Sequence, residues 1–178
     1  MRIISGKFRG KVLMAPRNLP VRPTTDFAKE ALFNLMNNHY NIEMISVLDL
    51  FAGTGNISYE FASRGAESLT AVDFNGNCVK FINQTAEALG FTQLHAHRSE
   101  AIKFVERAYR KWDVVFADPP YDFTGHEELV NAVFKKGILE EEGMLVVEHA
   151  RETNLAEHPN FVERRKYGNV HFSFFEYA

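Results

Sequence analysis

From Ile45 onward the chain alternates short apolar runs with longer stretches whose apolar residues recur every three to four positions. Ile45–Phe51, Leu69–Asp73, Gln93–His97, Asp113–Ala117 and Met144–Glu148 have the length and apolar content of buried strands. The segments between them read as helices. Asn56–Arg64 places Ile57 and Phe61 one turn apart and is closed by Gly65; the next runs to Gly90 through Cys78, Ile82 and Leu89. A third is lined by Ile102, Val105 and Tyr109, and a fourth, marked by Leu129 and Val133, ends near Gly137. Ahead of the first strand, Thr25 or Asp26 can cap a helix with Phe27, Ala28, Ala31, Leu32, Leu35 and Met36 on one face. Strands separated by helices imply right-handed crossovers and a parallel sheet covered on both faces. The end differs: Phe161–Tyr167 and Val170–Tyr177 flank Gly168-Asn169 and predict an antiparallel hairpin. The expected fold class is α/β, a mostly parallel seven-stranded sheet finished by that hairpin.

The first 25 residues follow another pattern. Ile3, Ile4, Phe8, Val12 and Leu13 lie between charged residues and around Gly6 and Gly10, which predicts an N-terminal β-hairpin. Pro16, Pro20 and Pro23 then mark an extended strap. The expected division is a basic hairpin and strap over 1–25 and an α/β domain over 26–178.

Charge sharpens this division. Arg2, Lys7, Arg9, Lys11, Arg17 and Arg22 all precede the first acid, Asp26, although the whole chain of 178 residues carries a formal net charge of −3. Such a basic arm on an otherwise acidic body is the footprint of phosphate contacts, the bland alternative being a solvated tail. A single cysteine, Cys78, excludes an internal disulfide and a cysteine-built zinc site, and the histidines lack metal-ligand spacing. No apolar run is long enough to span a bilayer and no signal-peptide pattern opens the chain, so a cytoplasmic protein, monomeric and without metal, is expected.

Two motifs carry chemistry. Asp49-Leu-Phe-Ala-Gly53-Thr-Gly55 follows a strand and opens a helix, so its glycines let the backbone approach a ligand at the strand's carboxyl end. Asp73 ends the next strand, about 20 residues on, where an acid can hold a ribose. A dinucleotide fingerprint would want glycine where Ser58 stands, and Asp49 would repel a pyrophosphate; it suits a cationic ligand.

The second motif, Asp118-Pro119-Pro120-Tyr121, leaves the strand before it on the same edge. An amine on a conjugated ring is a poor nucleophile, because its lone pair is delocalised. A carboxylate and a rigid carbonyl can accept its N–H bonds and turn the lone pair toward an electrophile. The prolines fix the carbonyls and remove competing donors, and Tyr121 offers a face for an unstacked base. Continuity with a buried strand argues against a polyproline ligand.

With both motifs, the chain resembles the class I S-adenosylmethionine-dependent methyltransferases that act on exocyclic amines. More narrowly it resembles the bacterial small-subunit ribosomal RNA guanine-N2 methyltransferases. The resemblance runs nearly end to end, through Arg2-Ile-Ile-Ser-Gly-Lys7, Arg22-Pro-Thr-Thr-Asp26, Ala31-Leu-Phe-Asn34, the glycine turn, Asp118–Tyr121, Val147-Glu-His149 and Lys166-Tyr-Gly168. It implies a Rossmann-like methyltransferase fold and S-adenosylmethionine as cofactor. Asp49, Phe51, Gly53, Thr54 and Gly55 would surround the methionine part, Asp73 the ribose, and Phe74 the adenine. Glu100 and Ala101 stand where relatives place an Asp-Ala contact to the adenine amine. Asp118, Pro119, Pro120 and Tyr121 would form the catalytic loop. From the charge of the arm, Lys7, Arg9, Lys11 and Arg22 are expected to contact RNA phosphates, and Arg164-Arg165-Lys166 either adds to them or forms a solvated hairpin edge. The competing readings are an amino methyltransferase for DNA adenine or a protein glutamine, a nicotinamide-dependent oxidoreductase, and a non-catalytic RNA-binding protein. His149 beside Glu148 does not form a dyad, since strand neighbours face opposite ways.

Overall fold

The structure, a computed structural model, describes residues 1–19 and 24–178. Seven strands form one sheet in the order β3-β2-β1-β4-β5-β7-β6: β1 (Ser46–Leu50), β2 (Ser68–Asp73), β3 (Leu94–Arg98), β4 (Trp112–Ala117), β5 (Leu139–His149), β6 (Phe161–Tyr167) and β7 (Val170–Phe175). The first five run parallel, and β7 joins β5 and β6 antiparallel. Among the described residues five α-helices accompany them, α1 (Asp26–His39), α2 (Asn56–Ser63), α3 (Gly76–Leu89), α4 (Ala101–Arg107) and α5 (His126–Lys136), with a short 3-10 turn at Ile42–Met44.

Alternation along the strands builds two cores. Val47, Leu69, Val114, Phe116 and Val146 turn to the face covered by α1, α2 and α3, with Phe33, Phe61 and Ile82 among the covering side chains. Their neighbours Leu48, Leu50, Val72, Val115 and Leu145 turn to the other face, where α4 and α5 bring Val105, Leu129 and Val133. A sheet buried on both sides explains why the strands read as continuous apolar runs. Strand order reverses between β1 and β4, where such sheets leave a crevice at the strands' carboxyl ends. Leu50 pairs with Ala117, so the glycine turn and the Asp118 loop leave the sheet side by side on one rim.

Several expectations change. α1 buries Lys29 and leaves Phe27 exposed, its ring edge instead meeting Tyr167. α4 stops at Arg107, and Tyr109 lies beyond it in solvent. β5 begins at Leu139, earlier than Met144, with an irregularity in its register with β4 between these two residues.

The N-terminal hairpin is short: its arms pair around the bridge Arg2–Val12, with Ile3 N–H donating to the Lys11 carbonyl at 2.9 Å, Gly10 N–H to the Ile3 carbonyl at 2.8 Å and Leu13 N–H to the Met1 carbonyl at 2.8 Å. Between the paired arms, the backbone donors of residues 4, 5, 7 and 8 go to α2. The Ile4 and Ser5 N–H groups donate to the two Glu60 carboxylate oxygens at 2.8 and 3.0 Å, Lys7 N–H to the Ser63 carbonyl and Phe8 N–H to the Ser63 hydroxyl. Glu60 is fully buried and pairs with Lys29 at 3.3 Å and Arg64 at 2.9 Å. Buried charge is stable only with such pairing. Gly6 fits because it lies at φ +86°, with a Cβ position only 2.0 Å from the Ser63 carbonyl oxygen. Ile3 and Leu13 sink into the core beneath. Among the described residues no helix is long and apolar enough to cross a membrane.

Candidate active site

A cavity of about 880 Å³ opens on the rim at the β1–β4 switch point. One wall is the turn after β1. Gly53 and Gly55 take left-handed φ values of 58° and 93°, and Phe51, which is not glycine, also sits at φ 57°. A side chain held there is strained, and such strain clusters at functional sites. The Phe51 ring is supported by Phe123, 5.1 Å away. Asp73 at the end of β2 accepts the Gly53 N–H at 2.8 Å and the Asn75 N–H at 2.9 Å. Each oxygen keeps lone-pair capacity for a ligand diol.

Asp49, inside the end of β1, is buried and accepts the Ser58 hydroxyl at 2.6 Å. The residue that replaces a third fingerprint glycine thus holds this acid. Burial pushes the Asp49 carboxyl up to about 7, the Ser58 bond opposing and the Asp73 and Glu148 charges adding.

The other wall is the loop after β4. Asp118, Pro119, Pro120 and Tyr121 all line the cavity. The Pro120 carbonyl is taken by the Phe123 N–H at 2.9 Å, which tightens the loop, and Tyr121 stands almost fully exposed at the mouth. Burial, and then the neighbouring Glu148, hold the Asp118 carboxyl well above the usual carboxylate range. The charged groups acting on Asp49 and Asp118 among the described residues are other carboxyls. An acid-walled cavity of this kind suits a ligand bearing ammonium or sulfonium charge, and it fits S-adenosylmethionine in its donor set: glycine-turn backbone, ribose acid and unneutralised carboxylates.

Asp49, Phe51, Gly53, Thr54, Asp73 and Phe74 therefore share one cavity with the catalytic-loop residues, while Gly55 shapes the turn as the N-cap of α2 without lining it. Glu100 and Ala101 do not line it. The Glu100 carboxylate caps α4 instead, accepting the Ile102 and Lys103 N–H groups at 3.1 and 2.9 Å. On that side the lining is Phe74, Asn75 and Cys78, with the Arg98 guanidinium 5.7 Å from the Phe74 ring. Lys7, Arg9 and Lys11 are exposed on the arm; Arg22 lies outside the described residues. The second basic cluster is largely engaged: Arg164 donates to the Thr153 and Arg151 carbonyls and Arg165 pairs with Glu163.

Sequence reasoning missed Glu148 and Thr24. Glu148 follows the β5 residue paired with Ala117, faces Asp118, and accepts the Thr24 hydroxyl at 2.9 Å. His149 makes no dyad with it, bonding Ser173 Oγ at 2.7 Å and the Ala150 carbonyl at 2.8 Å. The available signal for Glu148 was its position near the carboxyl end of β5, the strand beside the one that leads into the Asp118 loop.

Fold and site together define an S-adenosylmethionine-dependent methyltransferase. The chain belongs to the family described as conserved hypothetical protein 95, whose model matches residues 1–176. It is 34% identical to a Bacillus subtilis protein provisionally named rRNA methyltransferase YlbH, over 88% of this chain and 86% of that one. It is 31% identical to ribosomal RNA small subunit methyltransferase D of Escherichia coli K12, over 87% of this chain and 77% of the relative. A solved Escherichia coli structure, provisionally named methyltransferase yhhF, superposes with a TM-score of 0.87 at 30% identity, covering 98% of this chain and 96% of its own.

Proposed function

We propose that the protein methylates the exocyclic N2 of a guanine in small-subunit ribosomal RNA. The observation that carries the chemistry is the meeting of Asp118 and Asp49 in one cavity, on neighbouring strands. The relatives' names support ribosomal RNA as the substrate. Bound S-adenosylmethionine supplies a methyl carbon made electrophilic by its sulfonium. Asp49 offsets the positive charge, Asp73 takes the ribose hydroxyls, and the glycine turn admits the methionine part. The guanine leaves its stack and rests on Tyr121. Asp118 and the Pro119 carbonyl accept the two amino N–H bonds and aim the lone pair. Most of the rate acceleration is positioning, for which effective molarities correspond to up to ~7–11 kcal/mol. Residues 1–25 act as the RNA-contacting arm and 26–178 as the catalytic domain, with Lys7, Arg9, Lys11 and Arg22 on phosphates.

The test is methylation of ribosomal RNA followed by mass spectrometry of its nucleosides. N2-methylguanosine is expected; N6-methyladenosine, or methyl transfer only to DNA or protein, would overturn the assignment. Asp118→Ala should lose turnover by 100-fold or more, as loss of a well-oriented acceptor implies (on the order of 10²–10⁴), while S-adenosylhomocysteine binding, read by calorimetry, stays within about threefold. Full activity in that variant would remove Asp118 from the reaction.

A further inference from the structure

Among the described residues, Glu148 is the one carboxyl lining the cavity to which the proposed chemistry gives no task. β4 and β5 run parallel with Ala117 opposite Val147, so Asp118 and Glu148 emerge side by side into the same cavity, where the Glu148 carboxyl helps raise that of Asp118. Thr24, where the strap rejoins the body, donates its hydroxyl to Glu148 Oε1 at 2.9 Å. The Thr24 carbonyl accepts Asn56 Nδ2 at 3.2 Å, and Asn56 Oδ1 accepts the Lys29 ammonium at 2.9 Å. Lys29 also binds the Arg2 carbonyl and Glu60, the residue that clamps the arm. Glu148 is therefore held from behind through a run of hydrogen bonds that begins at the arm.

Two carboxyls side by side do not both ionise cheaply, so a pair of this kind keeps one proton between them. The surrounding groups do not relieve the repulsion. Asp49 faces the pair from β1 and Asp73 lies behind it at the end of β2, while His126 of α5 is held toward its neutral form by burial. His149, the next residue on β5, is likewise held neutral, pushed down to about 4.

We propose that Glu148 is a positioning residue that shares a single proton with Asp118 under the control of Thr24, so that the pair, and not Asp118 alone, takes up the proton released by the methylated amine. The chemistry rests on the amine-methylation reading; the shared proton does not. In the resting pair Asp118 donates its O–H to the Glu148 carboxylate and keeps its other oxygen as acceptor for an amino N–H. The nitrogen lone pair forms the new bond to the methyl carbon as the donor's carbon–sulfur bond breaks, that electron pair staying on sulfur. The nitrogen, now cationic, passes one N–H proton to the free oxygen of Asp118 while the shared proton crosses to Glu148. The amine ends neutral, the pair ends with two protons, and the extra proton leaves to water on product release. Asp118 thus accepts a proton without having to begin as a free carboxylate in a buried site.

The experiment is a carbon-13 NMR titration of the Asp and Glu carboxyls in the ligand-free protein, wild type against Glu148→Gln and Thr24→Val. In the wild type, Asp118 and Glu148 should report the same two steps, separated by more than about one pH unit, as coupled sites do. In Glu148→Gln, Asp118 should titrate in one step displaced downward by about a unit or more. Thr24→Val, which keeps both carboxyls, should raise the Glu148 step. An Asp118 titration identical in wild type and Glu148→Gln would overturn the shared proton. Single-turnover methylation of RNA is the second readout. Glu148→Gln should lose tenfold or more in rate with RNA affinity unchanged, and Glu148→Asp should recover part of it; full rate in Glu148→Gln would overturn the positioning role. Should the coupled titration hold while no guanine is methylated by the wild type, the reaction reading falls and the shared proton stands. If Glu148→Gln fails to fold, Thr24→Val alone decides: an unmoved Glu148 step overturns the proposal.

Discussion

Asp49 shows how one side chain couples stability to ligand charge. Its carboxyl stands near 7 in the folded protein against an ordinary value of 3.8. Below the ordinary value both folded and unfolded chains hold the proton and nothing is lost. Between about 4 and 7 the unfolded chain releases it first, so the ligand-free protein loses stability as pH rises through that window, by on the order of 4 kcal/mol for this group. Asp49→Asn keeps the acceptor for Ser58 and removes the effect. Thermal melts of the ligand-free protein should therefore show the variant more stable than wild type at pH 8, with the gap narrowing toward pH 5. A gap independent of pH would refute the assignment. The same variant should bind S-adenosylmethionine at least tenfold more weakly while changing S-adenosylhomocysteine binding less, because only the former carries the sulfonium charge that a buried carboxylate offsets.

At the scale of elements, the arm and α2 form one unit. The arm gives the N–H groups of Ile4, Ser5, Lys7 and Phe8 to Glu60 and Ser63, and Gly6 makes the contact sterically possible. Gly6→Ala should detach residues 4–8 at a cost of about 1–3 kcal/mol, since it adds both a left-handed alanine and a clash with backbone. Hydrogen exchange of the Ile4, Ser5, Lys7 and Phe8 amides should accelerate while β1 and β4 stay protected; unchanged exchange in the arm would refute the clamp. Lys29→Met tests the centre of the unit. Removing one partner of a buried pair typically costs about 3–5 kcal/mol, with Arg64 here remaining to soften the loss, and denaturant melts measure it.

For the whole molecule, the distribution of charge matters more than its sum. The net charge of −3 predicts little attraction to RNA. Lys7, Arg9 and Lys11, however, extend in solvent from an arm rigidly fixed to the body, which also carries the cavity. Replacing all three by Ala should weaken RNA binding regardless of sequence and reduce the slope of log affinity against log salt by roughly 2–3, since each phosphate contact contributes about 0.7–0.9. Filter binding at several salt concentrations reads this directly, and an unaltered slope would remove the arm from the interface.

Local pattern alone determined the strand and helix alternation, the parallel sheet with its antiparallel end, the glycine turn with Asp49 and Asp73, and the Asp118 loop. These are legible because period, glycine placement and strand-end acids are properties of neighbouring residues. Only the tertiary structure decided the fate of groups whose partners lie far away in sequence. Lys29 reads as a solvated helix residue until Glu60 and Asn56 surround it. Glu100 reads as a ligand contact until it folds back onto its own helix. Glu148 reads as a strand-end charge until β4 sets Asp118 beside it and the strap brings Thr24. The arm reads as a free-standing hairpin until α2 offers acceptors to the N–H groups of Ile4, Ser5, Lys7 and Phe8 at its bend. The physical reason is the same in each case: a polar group's energy depends on which partner replaces its water, and that partner is chosen by packing.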